Sequence, residues 1–476
     1  MVRLRADAGR IPLGRGRVHC VVTSPPYFGL RRYEGVPETV WGGDPAHGHE
    51  WGEALPPIKA GQVAQTKWKD APAVAEGQRA NTGACCLCGA WRGCLGNEPT
   101  VALYVEHMVA VFREVRRVLR DDGVCWLNLG DSYSGGGNGG GGSFAQDGPR
   151  MMAEGDKNVR TRPAHTPGFP AGNLLGVPWR VAFALQADGW LLRNDMIWGK
   201  KAPMPESVAG WRWQRCRTKT AGGSRSERPA LARSAQQDHD GHGFAPSAEW
   251  SDCPGCDKCA ATAGLVLRRG SWRHTRAHEY VFMLAKTDCY FADGEAAKEV
   301  ASPASADRYK YNFSGAPDGR HDPGGHERIC PEGERESDGK RNPRSFMLLG
   351  PEPLHEAHFA AMPTEIPRRL IAASTPTRGV CRACGSPWAR VAPPTSHAGW
   401  RPTCTCPSAT PVPATILDPF AGSGTTGVVA AELGRRAILC DLSGTYLRDI
   451  AGRRVGAAAL AGQTSTSGAA TQEEMF

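Results

Sequence analysis

Three groups of side chains in this 476-residue chain have the types and spacing for chemistry. The first is Ser24-Pro25-Pro26-Tyr27. Two consecutive prolines fix φ and remove two amide donors, so a preceding strand must stop there. The carbonyls of Ser24 and Pro25 are left without ladder partners on a stiff turn that also carries an aromatic ring. Such a turn suits a flat ring bearing an NH2 group: Tyr27 stacks on the ring while the Ser24 and Pro25 acceptors take the amine hydrogens. A Pro-Pro turn closing an ordinary strand is the plainer reading of this tetrapeptide by itself. The second group is Asp418-Pro419-Phe420-Ala421-Gly422-Ser423-Gly424-Thr425, whose small residues let the backbone approach a ligand as a strand becomes a helix. Asp441 follows about 20 residues beyond the first of these glycines, where an acid can bind ribose hydroxyls. The third group is the cysteines, 17 in all, many in Cys-x-x-Cys spacing.

Short elements must position these residues. Val18–Val22 and Thr415–Leu417 read as buried strands leading into the first two groups, 428–433 as the helix after the glycines, and Ala437–Cys440 as the strand ending in Asp441. Together they form the nucleoside half of a Rossmann-like crevice. Tyr104, Met108, Val111, Val115 and Val118 recur at helical spacing, with Asp121-Asp122-Gly123 expected to end that helix before a strand at Val124–Leu129. Gly130 and Asp131 then fall at a strand's carboxyl end, where Asp131 either touches a ligand or caps a helix. Pro178 opens a further helix, Leu191–Trp198 and Glu279–Leu284 read as strands, and Cys289–Phe291 as strand-like. Trp198 reads as a core tryptophan, with packing on a bound base as the other option.

The pair Thr-Ser-Pro-Pro-Tyr and Asp-Pro-Phe-Ala-Gly-Ser-Gly-Thr-Thr resembles the catalytic and cofactor motifs of the DNA amino-methyltransferases. These enzymes methylate N4 of cytosine or N6 of adenine from S-adenosylmethionine. The catalytic motif precedes the cofactor motif, as in the permuted β class of that family, and the likeness extends over 102–131, 176–200, 276–293 and 358–442. It implies an α/β fold: a Rossmann-like class I S-adenosylmethionine-dependent methyltransferase sheet with helices on both faces, a circularly permuted motif order, and small Cys-rich insertions. It implies cofactor contacts at Asp418, Phe420, Gly422, Ser423, Gly424, Thr425 and Asp441, with the segment through Pro363 wrapping the methionine end. Asp7 falls where the family often contacts the adenine ring, or is a loop carboxylate. Ser24 at the head of the tetrapeptide leans toward N4-cytosine, whereas Asp or Asn there leans toward N6-adenine.

A net charge of +9 favours a polyanionic partner, here double-stranded DNA. No stretch approaches a membrane span and no apolar signal core follows the basic N-terminus, so a cytoplasmic protein is expected. In that compartment the cysteines point to metal sites, structural zinc among them, or to free thiols rather than disulfides. Three sets are candidates: His47, His49, Cys85 and Cys88; Cys216 with Cys253, Cys256 and Cys259; and Cys381, Cys384, Cys404 and Cys406 as a zinc-ribbon-like pair of half-sites, with Cys86 and Cys94 spare. Basic residues interleaved with tryptophan, Arg212, Arg215 and Arg217 near Trp211 and Trp213, and Arg268, Arg269 and Arg273 near Trp272, suit phosphate contact and stacking. The organisation expected is a catalytic half at 1–40 and 98–202 and a cofactor half at 346–380 and 411–460. Insertions fall at 41–97, 203–275 and 381–410, a core strand with a target-recognition region at 276–345, and a disordered tail at 461–476.

An exocyclic amine is a poor nucleophile because its lone pair is delocalised into the ring. Acceptors on its hydrogens draw the nitrogen toward sp3 geometry and free the pair for in-line attack on a methyl about 3 Å away. One proton must then leave, through Ser24, water or a nearby carboxylate, and the base must be extruded from the duplex to be reached. A C5-cytosine methylase would need a nucleophilic cysteine, usually in Pro-Cys, and the chain has no such dipeptide. Gly422-x-Gly424-x-x-Gly427 with Asp441 also fits a nicotinamide dehydrogenase, but that leaves Ser-Pro-Pro-Tyr unemployed. A non-enzymatic zinc-dependent DNA-binding protein explains the cysteines and charge but neither strand-end motif. A cognate restriction endonuclease is a further expected partner.

Overall fold

A computed structural model of the chain describes residues 2–29, 37–44, 46, 48–51, 58–59, 84–85, 87–134, 159–160, 166–203, 210–221, 249–302, 340–352, 362–391, 399–407 and 409–456. The chain forms two compact units, one of Met1–Ala202 with Ala277–Phe476 and one of Pro203–Arg276.

The larger unit is built on an eight-stranded sheet. In chain order its strands are β1 (Val2–Arg5), β2 (Val18–Thr23), β3 (Leu119–Leu129), β4 (Leu191–Lys200), β5 (His278–Ala285), β6 (Phe346–Leu349), β7 (Thr415–Asp418) and β8 (Arg436–Asp441). Their spatial order is β1-β8-β7-β2-β3-β5-β4-β6. Neighbours pair in parallel except on either side of β5, which runs antiparallel to both β3 and β4. β1 thus forms one edge of the sheet beside β8, and β6 the opposite edge beside β4.

Side chains alternate across the pleat and feed two separate cores, one on each face. Val21, Cys125, Leu127, Leu417 and Cys440 join one core with helices α1 (Val101–Val118) and α2 (Val177–Ala187). Cys20, Val22, Trp126, Ile416 and Leu439 join the other with α3 (Glu365–Ser374) and α4 (Thr425–Glu432). Covered on both faces, these strands read as continuous apolar runs. Helices on both faces of a mostly parallel sheet make this the Rossmann-like α/β fold expected.

Two local expectations differ from the observed chain. Helix α1 stops at Val118, not at Gly123, because Leu119 already pairs with Val18. The register then shifts before Cys20 meets Val124, so the acidic turn is an irregularity within a strand. Gly123 lies there against Leu119 and the His19 carbonyl, where a Cβ would stand 2.9 Å from that oxygen. Cys289–Phe291 forms no strand; the Phe291 amide donates to the Asp122 carbonyl instead. Residues 447–452 wind as a π-helix, Tyr446–Ala451. No helix among the described residues is long and apolar enough to cross a membrane.

One polar contact ties the sheet's two functional ends. The Thr23 hydroxyl donates to Asp418 Oδ1 at 2.7 Å, with both residues buried at the carboxyl ends of adjacent parallel strands. Burial raises the Asp418 carboxyl to about 6, against the opposing pull of the Thr23 hydroxyl. A carboxyl raised in the folded state binds more protons there than in the unfolded chain. Stability from this group therefore falls as pH rises between about 4 and 6, by roughly 3 kcal/mol in full. In cofactor-free protein, Asp418→Asn should flatten the pH dependence of urea unfolding over that window. An unchanged slope would mean the carboxyl titrates as it does in the unfolded chain.

Candidate active site

Both motifs emerge at the same edge of the sheet. Strands β2 and β7 are parallel neighbours, with Cys20 opposite Ile416 and Val21 opposite Leu417. Ser24-Pro25-Pro26-Tyr27 and Asp418-Pro419-Phe420 therefore leave the sheet side by side, and Tyr27 and Phe420 pack against one core. The Thr426 hydroxyl adds a second link, donating to the Val22 carbonyl.

The glycine loop is shaped by its own backbone. Asp418 Oδ1 also accepts from the Phe420 amide at 3.1 Å, and the Ala421 amide donates to the Cys440 carbonyl. Gly424 caps α4 in the left-handed region at φ 76°, and a Cβ there would stand 2.6 Å from that of Ala451. Asp441 joins loop to strand: Oδ2 accepts from the Gly422 amide and Oδ1 from the Ser443 amide, each at 2.8 Å. Burial raises its carboxyl, and these amides pull it back down. Each oxygen keeps a lone pair for a further donor such as a ribose hydroxyl. Arg454, which the sequence reading did not single out, donates to the Ser423 carbonyl at 2.7 Å and to the Thr425 hydroxyl.

The proline turn is held from three sides. The Tyr104 hydroxyl of α1 donates to the Pro26 carbonyl at 2.9 Å, and the Gly29 amide donates to Gly96. Gly96 lies so close that a Cβ would stand 3.0 Å from the Tyr27 carbonyl oxygen. Nearby, His107 is buried between Trp41 and Trp91 and bonded to buried Glu98, whose second oxygen accepts from Gly96. Beyond the turn, Tyr27 Oη donates to Glu279 Oε2 at 2.6 Å, contacts Ser24 Oγ at 3.1 Å and accepts from Asn128 Nδ2 at 2.8 Å. Glu279 holds Lys200 Nζ on its other oxygen, also at 2.6 Å. Asn128, Glu279 and Lys200 come from β3, β5 and β4, and their roles escaped the sequence reading. Asn128, the one polar residue in the apolar run Val124–Leu129, was the available signal. Gly130 makes the close approach possible, since a Cβ there would stand 2.7 Å from the Tyr27 ring.

Other candidates fall elsewhere. Asp131 is a helix cap: its Oδ1 accepts from the Ser132 amide and from Val177, the first residue of α2, whose Gly176 cap has no side chain to offer. Asp7 accepts from the Gly9 amide in a local turn. Trp198 is buried beside Lys200. Pro363 is buried just ahead of α3, while 353–361 lie outside the described residues.

Three cysteine-containing sets converge, each with ligand atoms within 4.8 Å of one another. Cys216, Cys253, Cys256 and Cys259 form the first, with sulfur separations of 3.8 Å (Cys216 to Cys256) and 3.7 Å (Cys256 to Cys259). Four thiolates around a tetrahedral zinc at 2.3 Å stand about 3.8 Å apart. Cys381, Cys384, Cys404 and Cys406 form the second, and His49, Cys85 and Cys88 the third, with His47 and Cys86 outside the described residues. Cys94 instead points its thiol at the Pro37 carbonyl. Within these sets the thiols split: the Ser386 hydroxyl lowers Cys384 to about 6, the Lys258 amide lowers Cys256 to about 7 and the Cys384 amide lowers Cys381, while burial raises Cys216 and the Cys384 contact raises Cys406, each to about 12. The second set docks on β2. His19 Nδ1 accepts from the Thr415 amide, so its Nε2 donates to the Gly385 carbonyl, and burial keeps this imidazole neutral, near 4.

In the smaller unit, strand Arg212–Arg215 pairs antiparallel with Leu265–Arg268. Trp211, Trp213 and Trp272 are all more than half exposed, and the Arg269 guanidinium lies 4.9 Å over the Trp211 ring. Arg215 and Arg217 both face Asp252, and Arg273 donates to the His274 carbonyl. The basic residues of 222–248 lie outside the described residues.

Comparison with known proteins adds the following. The type II methyltransferase M.Cfr9I of Citrobacter freundii is 26% identical over 443 residues, 93% of this chain and 83% of that protein. The type II methyltransferase M.SmaI of Serratia marcescens is 29% identical over 358 residues, 74% of this chain and 75% of its own. Among solved structures, the PvuII DNA methyltransferase (cytosine-N4-specific) aligns over 94% of this chain and 83% of its own, with 13% identity and a TM-score of 0.38. A family model described as DNA methylase matches residues 18–452. Through that match the chain belongs to the N6/N4 amino-methyltransferases of DNA, enzymes that draw their methyl group from S-adenosylmethionine.

Proposed function

We propose that the enzyme methylates N4 of a cytosine extruded from double-stranded DNA, at the edge where β2 and β7 end. The observation that carries this reading is the Thr23–Asp418 bond, which sets the Ser-Pro-Pro-Tyr turn beside the glycine loop. Ser24 at the head of the tetrapeptide supports cytosine over adenine through the family pattern.

The cofactor supplies an electrophilic methyl group on a sulfonium. Asp441 would hold its ribose hydroxyls, Phe420 would pack on it, and the loop from Gly422 to Thr425 with the first amides of α4 would border it. Asp418, buried and bonded within the loop, would shape the site from behind. Pro363 would approach the methionine end. Tyr27 would stack on the base while the Ser24 and Pro25 acceptors, held by the rigid Pro26, take the amine hydrogens. The base reaches them only when flipped out of the helix. Arg212, Arg268 and Arg269, with Trp211, Trp213 and Trp272, would meet phosphates and unstacked bases. The three cysteine sets would bind structural zinc, giving folding energy to segments with little apolar surface. A restriction endonuclease reading the same site would be the biological partner.

Expression in a methylation-free host followed by nucleoside mass spectrometry should reveal N4-methylcytosine; N6-methyladenine would reassign the base, and 5-methylcytosine would overturn the amine chemistry. Tyr27→Ala should cut methyl transfer about 100-fold or more with cofactor affinity near normal, whereas Asp441→Ala should weaken cofactor binding about tenfold or more. The opposite pattern in calorimetry and single-turnover assays would exchange the two roles. Metal analysis should find at least two equivalents of zinc, one for each four-cysteine set. Chelation should lower the melting temperature, and a metal-free protein of full stability would remove the zinc assignment.

A further inference from the structure

We propose that Glu279 is the terminal acceptor of the proton lost by the target amine, reached through Ser24 and Tyr27. The proposal rests on the reading of Ser24 as the group that meets that amine.

The direction of the wire follows from counting protons. A tyrosine hydroxyl has one hydrogen. Tyr27 gives it to Glu279 Oε2 at 2.6 Å, the short separation of a charge-assisted O–H···O bond. In its 3.1 Å contact with Ser24 Oγ, Tyr27 must therefore be the acceptor and Ser24 the donor. Asn128 Nδ2 donates to Tyr27 Oη at 2.8 Å and to Glu279 Oε2 at 3.0 Å, holding both oxygens as acceptors. With its hydrogen turned toward Tyr27 and one lone pair toward Asn128 Nδ2 at 3.4 Å, Ser24 Oγ presents its remaining lone pair to anything on its other side. An incoming amine hydrogen meets an acceptor with an exit behind it.

Glu279 is built for the far end of this wire. It is 9% exposed, and three donors converge on it: Tyr27, Asn128 and, on Oε1, Lys200 Nζ at 2.6 Å. The lysine ammonium stands against the carboxylate oxygen that the wire does not use. The reversed direction of β5 makes the arrangement possible. Glu279 lies near the start of that strand, which places it opposite Trp198 near the carboxyl end of β4. Gly130 leaves room for Tyr27 and Glu279 together, since a Cβ there would stand 3.5 Å from the Glu279 carboxyl carbon.

The step balances without a further reagent. The amine nitrogen forms a bond to the methyl carbon as the carbon–sulfur bond breaks, and that electron pair stays on sulfur, which becomes neutral. The nitrogen, now positive, releases one proton to Ser24 Oγ. Ser24 passes its own hydrogen to Tyr27, and Tyr27 passes its own to Glu279, which ends neutral beside Lys200. Proton exchange with solvent restores the carboxylate between turnovers. Because Glu279 touches Tyr27 rather than the base, it is a positioning and relay residue.

The test compares Glu279→Gln, Glu279→Asp and Tyr27→Phe in the full chain, with a duplex carrying the methylated site and with S-adenosylmethionine. Glutamine keeps size and polarity but cannot accept the proton. Phenylalanine keeps the stacking ring but cuts the wire. Expected are a fall of about 100-fold or more in single-turnover methyl transfer for Glu279→Gln and Tyr27→Phe, and partial recovery with aspartate. The double variant should be no slower than either single, because both interrupt one path. Calorimetric affinity for S-adenosylmethionine, the KM for DNA, and fluorescence of 2-aminopurine at the target position should stay within about threefold of wild type. Glu279→Gln retaining more than a third of the wild-type rate would overturn the relay while leaving the methyltransferase reading intact. So would a loss tracking affinity or melting temperature. A wild-type enzyme that modifies no exocyclic amine would instead remove the reading on which the relay rests.

Discussion

A buried hydroxyl–carboxylate contact between Thr23 and Asp418 joins residues 395 positions apart and sets the geometry on which the rest of the site depends. Parallel pairing of β2 and β7 brings the two strand ends to one edge, and the contact pins them there. Both partners are buried, so neither can find water as a substitute, and an unmatched partner would carry the full cost of desolvation. Burial raises this carboxyl to about 6 even with the Thr23 hydroxyl pulling the other way. From that pin the proline turn leaves on one side and the glycine loop on the other. Each is then stiffened by its own contacts: Tyr104 and Gly96 on the turn, Asp441 and Arg454 on the loop.

Much of this was legible in the sequence because local rules and tertiary environment agreed. Val18–Thr23 and Thr415–Asp418 are apolar runs closed by residues that cannot continue a strand, and each was expected within a residue of where it lies. The roles of Asn128, Glu279 and Lys200 were not legible. They sit on three strands, and only the strand order β3-β5-β4 makes them neighbours. The antiparallel course of β5 cannot be read from an apolar run, yet it decides that Glu279 lies at its start on the functional edge. Asp131 shows the converse. Its position at a strand's carboxyl end left a ligand contact and a helix cap both open, and the structure shows the cap: α2 begins with a glycine and takes its acceptor from outside.

The cysteine sets were visible as spacing, while what they hold in place was not. Cys381, Cys384, Cys404 and Cys406 lie next to a loop that His19 and Arg120 fasten to the edge of β2 and β3. The insertion carrying His49, Cys85 and Cys88 ends at Gly96 and Glu98, directly against the proline turn. Segments of low apolar content thus bear on β2 and on the turn that carries Ser24 and Tyr27.

The most direct measurement is a crystal structure of the protein with a cognate duplex and a non-reactive analogue of S-adenosylmethionine. The account predicts one flipped base stacked on Tyr27, with its amine within about 3.5 Å of the transferable-methyl position and its hydrogens toward Ser24 and Pro25. The analogue should lie on the Phe420–Gly424 loop. A cofactor or base bound away from the shared end of β2 and β7 would contradict it.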